Sequence, residues 1–427
     1  MDAPHLHPPL LRLPFEVISS ILLWYKYLHH SVSVSDDVYS EPYHDDIDPS
    51  RKLPAPDHAA IRALLLLGSI SKSLRAAAWS TPLLWTHISL TLHRTRLSAE
   101  IVGLHAWLAR AGACPLHIRL QCGEADPGWA KYPPLEAVEV ISKHCKQWEE
   151  LCLVLPPTCL AQVAERCEEA GTVGMPMLRK LTLLVRRQWW GAEKPSFKAF
   201  SGAARLVDVD LFGIPLDSVD LPWTQLTRFR GHPLDAEEIM EALSLGPNLE
   251  SCTIACTHTD SYNFPSSPFN HTNLHNLKLT GTITPLKHLT LPALRTLAIE
   301  CPEGGFNGHH FVHLMQRSGA MLRCLHLTID CIPSVSLLEC LAATPALEEL
   351  TVCNLKDRVH SVFGDSVVER LTFKPESPST VPQLRRLEVL NCSCHFDAGK
   401  LEEMLWSRWN PGRSVCHRTS LACPRAL

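Results

Sequence analysis

The chain has 427 residues, of which 45% are hydrophobic and 20% are charged, and its formal net charge is -4 at pH 7. This is the composition of a folded protein, and without a basic excess it does not fit a general binder of nucleic acid or of anionic membranes. No apolar run approaches the roughly 18 to 20 residues that a membrane span requires, so we expect neither nucleic acid nor membrane among its partners.

The N-terminus and the cysteines bear on the cellular compartment. The first nine residues lack the basic and apolar regions of a secretory signal, and we expect residues 1–10 to be flexible. The 17 cysteines have no framework spacing, and several lie in apolar, strand-like contexts. Reduced thiols buried as small apolar side chains are favoured there. We therefore expect a cytoplasmic or nuclear location, or both.

The first predicted element is an apolar helix within residues 11–25, "LRLPFEVISSILLWY". Pro14 suits the first turn, where its missing N–H has no intrahelical partner. One stripe at helical spacing is formed by Val17, Ile18, Ile21, Leu22 and Tyr25, and Leu23 and Trp24 widen it. A helix this apolar must pack against the rest of the chain or against another protein.

Residues 31–58 interrupt this pattern with seven acidic residues, two basic residues and four prolines. A tolerated surface loop is the favoured interpretation, and a recognition tail or a phosphorylation site is the alternative. A helical pattern resumes with Leu66, Ile70, Leu74 and Ala77. The chain then turns at Pro82 and continues into an alternating, strand-like run.

From about residue 97 the chain alternates between a helical segment, a Gly or Pro break and a short strand of the form L-x-x-L-x-L. Residues 235–254 show every part, with Asp235 and Glu238 at the spacing of a capping box. Ser336 and Glu339 have the same spacing in a later copy. Two of the strand matches, at Leu226 and Leu249, are weak. The first positions of the predicted strands are Trp148, Leu178, Leu206, Leu226, Leu249, Leu274, Leu294, Leu322, Leu347 and Leu384.

The intervals between these positions run from 20 to 37 residues, and most are between 20 and 30. This is the period of leucine-rich repeats, in which neighbouring helix–strand units stack because none can cover its own apolar face. Alternation within L-x-L directs the leucines to the core and the intervening residue to an open face. The open-face residues Glu150, Lys180, Lys278, Arg323 and Arg386 are mixed in sign, so charge does not identify a partner.

The N-terminal segment resembles an F-box. That family begins with Leu-Pro-x-Glu before an amphipathic helix, as Leu13, Pro14 and Glu16 do, and closes on a Pro-x-Leu-Trp turn, which Pro82 and Trp85 match together with Leu84. The whole arrangement, with "WLARAGACPLHIRL" after the turn, is similar to F-box proteins abundant in mushroom-forming (basidiomycete) fungi.

The resemblance implies an α/β fold. A small helical F-box at 11–90, interrupted by the 31–58 loop, would precede an irregular leucine-rich-repeat solenoid at 91–410, with parallel strands on one face and helices on the other. An uncapped or disordered tail is expected at 411–427, because the chain continues there without a further L-x-x-L-x-L strand.

The resemblance also implies a function: the substrate-receptor subunit of a cullin–RING (SCF-type) ubiquitin ligase. The F-box would bind a Skp-type adaptor and through it a cullin, while the repeats hold an unknown substrate protein. Packing inside a three-helix unit is the alternative role of the anchor residues, and a repeat scaffold acting without the ligase is the alternative function. The anchors implied by the resemblance are Leu13, Pro14, Val17, Ile18, Ile21, Leu22, Ile70, Leu74, Pro82, Leu84 and Trp85.

No catalytic motif stands out, and we expect neither an enzyme nor a cofactor. His309 and His313 are four residues apart but lack the glutamate of H-E-x-x-H, so a helix face beside solvent explains them better. Cys392, Cys394 and His395 have no C-x-x-C pair to complete a zinc site, which favours core cysteines and a loop histidine. An enzyme with a site in the repeat cavity is a third hypothesis, and it requires convergent polar residues that the sequence does not show.

Overall fold

The computed structural model describes the chain in stretches that fall into two compact units, one up to Pro222 and one from Trp223. Of the sequence predictions, the flexible N-terminus at 1–10, the acidic loop at 31–58, Cys392 and most of the 411–427 tail lie outside the described residues. The described residues are 13–30, 66, 69–123, 128–169, 175–189, 197–256, 267–301, 306, 308–329, 332–354, 363–373, 381–390, 394–395, 397–408 and 421–422.

The first unit combines helices with a parallel sheet. Its described helices are α1 (Phe15–His30), α2 (Lys72–Trp79), α3 (Leu97–Ala111), α4 (Gly128–Lys131), α5 (Leu135–Ser142) and α6 (Pro157–Glu169). Its strands are β1 (His87–Leu92), β2 (Leu116–Cys122), β3 (Trp148–Val154), β4 (Lys180–Leu184) and β5 (Asp208–Phe212). These five strands pair in chain order, all parallel, with one register shift at Leu116/His117.

The second unit repeats the same plan. Its described helices are α7 (Ala236–Leu245), α8 (Gly308–Ser318), α9 (Ser334–Ala342), α10 (Asp365–Leu371) and α11 (Ala398–Arg408). Its strands are β6 (Arg228–Leu234), β7 (Ser251–Cys256), β8 (Phe269–Asn270), β9 (Asn276–Gly281), β10 (Leu289–Thr290), β11 (Thr296–Cys301), β12 (Cys324–Ile329), β13 (Glu349–Asn354), β14 (Phe363–Gly364), β15 (Arg386–Leu390), β16 (Cys394–His395) and β17 (Leu421–Ala422). The main sheet has the order β6-β7-β9-β11-β12-β13-β15-β17, and β8–β10 and β14–β16 form separate parallel pairs.

All ten predicted strands are present. In nine of them the strand begins two residues after the predicted first leucine, because that leucine is buried in the turn leading into the strand; Leu274 before β9 is an example. The weak matches at Leu226 and Leu249 also lead into full strands, β6 and β7, because Phe229, Cys252 and Ile254 occupy the buried positions. Any apolar side chain of suitable size satisfies these positions, so leucine is not required.

The two predicted capping boxes have different outcomes. At the start of α7 the box is present: Asp235 Oδ1 accepts from the Glu238 N–H at 2.9 Å, and the Asp235 N–H donates to Glu238 Oε2 at 3.0 Å. The box predicted at Ser336 is wrong. Helix α9 begins two residues earlier, after Pro333, so Ser336 is a helical residue and no side chain caps the helix.

The main sheet of each unit has a buried apolar face and a face that carries polar residues. In β2, for example, buried residues alternate strictly with half-buried ones, and the half-buried positions hold His117, Arg119 and Gln121. Helices α3, α5 and α6 pack in succession on one another in the first unit, as do α8 to α11 in the second. The prediction of an α/β fold with parallel strands is therefore confirmed.

The end of the chain adds one observation. Within the predicted tail at 411–427, Leu421 and Ala422 are described, and they pair in parallel with Val389 and Leu390 of β15. Across the described part of the chain, no helix is long and apolar enough to cross a membrane.

Candidate docking surface on the N-terminal helix

Helix α1 is held in the first unit by an inner face that contains both apolar and polar residues. Ile18 and Leu22 are only 4% and 2% exposed, and the helix packs on α2 and on the 3-10 helix Pro82–Trp85. Ser19 and Lys26 are buried on the same side. The inner face thus fixes both the position and the rotation of α1.

Two polar contacts set this rotation. The hydroxyl oxygens of Ser19 and Thr81 are 2.9 Å apart, and the Thr81 hydroxyl also lies 2.7 Å from the Ala77 carbonyl oxygen. One turn from the C-terminal end of α1, the Lys26 ammonium donates to the Leu83 carbonyl oxygen at 3.0 Å. Because the first contact is buried and the second partly buried, turning α1 about its axis would leave polar groups without partners.

The outer face of α1 is apolar as well. Leu13 is 38% exposed just before the helix, and along it Val17 is 42%, Ile21 41% and Trp24 67% exposed. At 3.6 residues per turn Val17, Ile21 and Trp24 fall on one stripe opposite Leu22, and Leu13 lies just before the first turn. A surface helix of a self-contained protein normally presents polar residues there, and a contiguous apolar face marks a binding site.

Pro14 lies at the start of this face, one residue before the predicted position. Helix α1 begins at Phe15, and the Pro14 carbonyl oxygen accepts hydrogen bonds from the N–H groups of Val17 and Ile18, each at 3.1 Å. The proline therefore precedes the helix and supplies its first acceptor. It fixes the chain direction at the point where Leu13 joins the outer face.

The structure separates the eleven predicted anchors into two groups. An exposed group could contact a partner directly, and it comprises Leu13, Pro14, Val17, Ile21, Ile70 and Pro82. A buried group packs inside the chain, as in the alternative role, and it comprises Ile18, Leu22, Leu74, Leu84 and Trp85. The stripe predicted on α1 contained residues of both groups. Residues 17 and 18, like residues 21 and 22, are adjacent in the chain, but they lie about 100° apart around the helix, so one is exposed and the other buried.

Trp85 shows what the buried group does. Its indole Nε1 donates to the Ala78 carbonyl oxygen at 2.8 Å, and its ring meets Trp107 of α3 edge-to-face at 5.3 Å. The Arg110 guanidinium lies 4.8 Å from the same ring. The predicted Pro-x-Leu-Trp turn therefore joins the N-terminal helices to the first helix–strand repeat.

Trp24 and Leu83 are exposed although neither was predicted as an anchor, and Phe15 and Tyr25 of α1 are exposed as well. Trp24 lies on the outer face of α1, and its place in the widened stripe was the signal for it. Leu83 is 52% exposed on the 3-10 helix next to the exposed Pro82, and its carbonyl oxygen is bound by Lys26. Its position depends on a contact across 57 residues, so no local pattern revealed it. We call Leu13, Pro14, Val17, Ile21 and Trp24 the outer apolar surface.

The open faces of the two sheets carry charges of both signs in close pairs. In the first unit Glu150 and Lys180 are register partners on β3 and β4, and Glu150 Oε1 lies 3.5 Å from His117 Nδ1. In the second unit cation–carboxylate pairs lie along the strands, for example Lys278–Glu300 at 3.2 Å, Arg323–Glu348 at 3.7 Å and Arg386–Glu388 at 2.6 Å. The open faces thus carry charges of both signs, as predicted, and opposite charges lie close enough to neutralise one another. Neither face therefore has one dominant charge.

The chemistry of the remaining candidates is that of a folded core. His309 and His313 lie exposed on α8, as predicted for a helix face beside solvent. No group of three or more potential metal ligands occurs among the residues with described positions. Burial raises the pKa of the Cys152 thiol to about 11 and that of Cys159 to about 12, which disfavours the nucleophilic thiolate.

Comparison with known proteins gives no family: no family model matches the chain, and no curated protein matches its sequence.

Proposed function

We propose that this chain is the substrate-receptor subunit of a cullin–RING ubiquitin ligase. In this proposal the outer apolar surface docks on a Skp-type adaptor, and the repeats bind the substrate protein. The observation that carries the proposal is the outward-facing stripe of Leu13, Val17, Ile21 and Trp24, on a helix whose inner face is already packed.

The energetics support a docking role for this stripe. Burying apolar surface stabilises an interface by about 25 cal/mol per Å², and large, centrally placed apolar side chains supply most of the binding energy in helix-in-groove complexes. The inner face already holds α1 in place through Ile18 and Leu22. The outer face therefore remains available without loss of internal packing.

The sequence context supports the same partner. Leu13, Pro14 and Glu16 match the start of the F-box pattern, and two of these three residues belong to the outer apolar surface. Pro82 and Leu83 belong to the closing turn of that pattern and are exposed as well. Among the residues that match the family pattern, Leu13, Pro14 and Pro82 expose apolar side chains, whereas Leu84 and Trp85 are buried.

A receptor of this kind contributes proximity rather than catalysis. The ligase chemistry takes place on other subunits, and the receptor holds a lysine of the substrate near the charged conjugating enzyme, which converts an encounter between two proteins into a local reaction. No cofactor or metal is required of this chain. A repeat scaffold that uses its N-terminal helices without the ligase is the competing function, and adaptor binding separates the two.

Co-expression with the Skp-type adaptor of the same organism tests the proposal. We expect the two proteins to co-purify at a fixed ratio, and Ile21→Glu to abolish co-purification because the new carboxylate would be buried in the interface. Val335→Glu is the matched control, since Val335 is exposed on α9 in the other unit. A folded wild-type chain that does not bind the adaptor would favour the scaffold.

A further inference from the structure

The outward side of helix α2 is basic and aromatic. Lys72, Arg75 and Trp79 follow one another at intervals of three and four residues, so they fall on one stripe of the helix. The residues buried in the packing of α2 lie on its other side. Lys72 is exposed, and Trp79 is 44% exposed. Helix α2 therefore presents two cations and one indole ring away from its packed side.

The ring of Trp79 is contacted by two guanidinium groups. The Cζ atom of Arg75 lies 5.7 Å from the ring centroid, and that of Arg110, which belongs to α3, lies 4.9 Å from it. The Arg110 Cζ is also 4.8 Å from the ring of Trp85, so this guanidinium contacts two indoles. Contact with an aromatic face holds a guanidinium in place and leaves the N–H donors at its edge available. Arg110 is thus positioned to bind an anion.

Two of these cations lack a carboxylate. Neither Lys72 nor Arg110 forms an ion pair with any residue that the structure describes. The local sequence gives the reason, because residues 59–99 contain five Lys or Arg and no Asp or Glu. The cations of the sheet faces differ in this respect, since Lys278, for example, lies 3.2 Å from Glu300. Positive charge at α2 therefore remains available to a partner.

The position of Lys72 within α2 is a second, independent observation. Lys72 is the first residue of the helix, and the first turn contains no acidic residue. The helix dipole disfavours a cation at this end, where Asp and Glu are the usual residues. An exposed lysine that its own helix disfavours and that no described carboxylate compensates is typical of a residue retained for binding.

We propose that Lys72, Trp79 and Arg110 form a docking site for an acidic segment of a protein partner. Carboxylates of the segment would pair with the ammonium and guanidinium groups, and an apolar side chain would cover the exposed indole. A nucleic acid fits less well, because the site offers few cations and the net charge of -4 repels a polyphosphate more than a few carboxylates. This inference goes beyond the proposed function, since these residues lie outside the outer apolar surface.

Fluorescence anisotropy of the full chain with a labelled peptide of alternating glutamate and leucine tests this inference. We expect binding that weakens as salt is added, because salt screens exposed ion pairs. Lys72→Glu should weaken binding about fivefold or more, since repulsion replaces attraction at an exposed pair. This variant should fold, because a glutamate suits the first turn of a helix. Arg110→Gln should also weaken binding, and Lys72→Glu keeps the test decisive if the loss of the Trp85 contact unfolds Arg110→Gln.

Lys198→Glu is the matched control, because Lys198 is exposed in the same unit and is also the first residue of a helix, the 3-10 helix Lys198–Phe200. It should change the affinity less than about twofold. No binding to the wild type, unchanged binding to a folded Lys72→Glu chain, or an equal loss in the control would overturn the proposal. Tighter binding of single-stranded oligothymidylate would overturn it in favour of nucleic acid. Binding that appears only when the acidic residues of 31–58 are replaced by amides would assign the site to that segment instead. None of these measurements involves the adaptor, so the result is independent of the proposed function.

Discussion

Replacing Ile18 or Ile21 by alanine removes the same atoms from two positions of α1 that differ in burial. Ile18 is 4% exposed and Ile21 is 41% exposed. Truncating a fully buried isoleucine costs about 2–5 kcal/mol, because the lost transfer energy is joined by that of a cavity. At Ile21 we expect a loss below about 1 kcal/mol, since its outer atoms already contact solvent and alanine is the better helix former.

Hydrogen exchange of the α1 amides at constant pH measures both changes as local free energies. A loss of about 2 kcal/mol corresponds to roughly 30-fold less protection, and one of about 1 kcal/mol to roughly fivefold. We therefore expect at least about 30-fold for Ile18→Ala and at most about fivefold for Ile21→Ala. Equal losses, or a larger loss at Ile21, would show that α1 is rotated differently and would refute the assignment of its outer face.

Three further predictions concern strain, pH and thiol reactivity. Gly281→Ala should destabilise the second unit far more in thermal denaturation than Gly319→Ala. Both glycines have positive φ, but the new Cβ at 281 would clash with the Cys256 carbonyl oxygen, while nothing lies within 4 Å of it at 319. Burial and neighbouring positive charges lower the pKa of His310 to about 4 from 6.5. As the pH falls, the unfolded chain therefore binds this proton before the folded chain does, and the free energy of unfolding decreases between pH 6.5 and about 4. His310→Gln should reduce that decrease, as measured by urea titrations. Iodoacetamide at pH 8 should label Cys114, which is half-buried, before Cys159, which is buried and whose pKa is raised to about 12, as peptide mass spectrometry would show. Similar losses at the two glycines, an unchanged fall in His310→Gln, or equal labelling would contradict these predictions.

The repeating strands were predictable because their signal is local and redundant. In nine of the ten predicted strands an apolar residue lies two positions before the strand, and apolar positions recur within it. Even the weak stretches at Leu226 and Leu249 kept enough apolar positions to form β6 and β7. The start of α9 was not predictable from its cap. Ser336 and Glu339 have the spacing of a capping box, yet Pro333 allows the helix to begin earlier.

The sequence predicts which segment carries the candidate docking surface, but it does not predict which side of helix α1 faces outward. The sequence shows that α1 is apolar nearly all round, and nothing local tells which side turns inward. That choice depends on contacts with distant residues, such as Ser19 with Thr81 across 62 positions and Lys26 with His87 across 61. For the same reason the polar anchors of the inner face, Ser19 and Lys26, could not be recognised from the helical pattern.

The central claim is that the outer apolar surface docks on a Skp-type adaptor, and a hydrogen-exchange footprint of the complex tests it most directly. Exchange would be compared in the full chain alone and with saturating adaptor. We predict that protection increases in residues 13–25 and 82–85 and stays unchanged in the strands of the second unit, β6 to β15. An adaptor complex whose footprint lies on the repeats and leaves α1 unchanged would contradict the account.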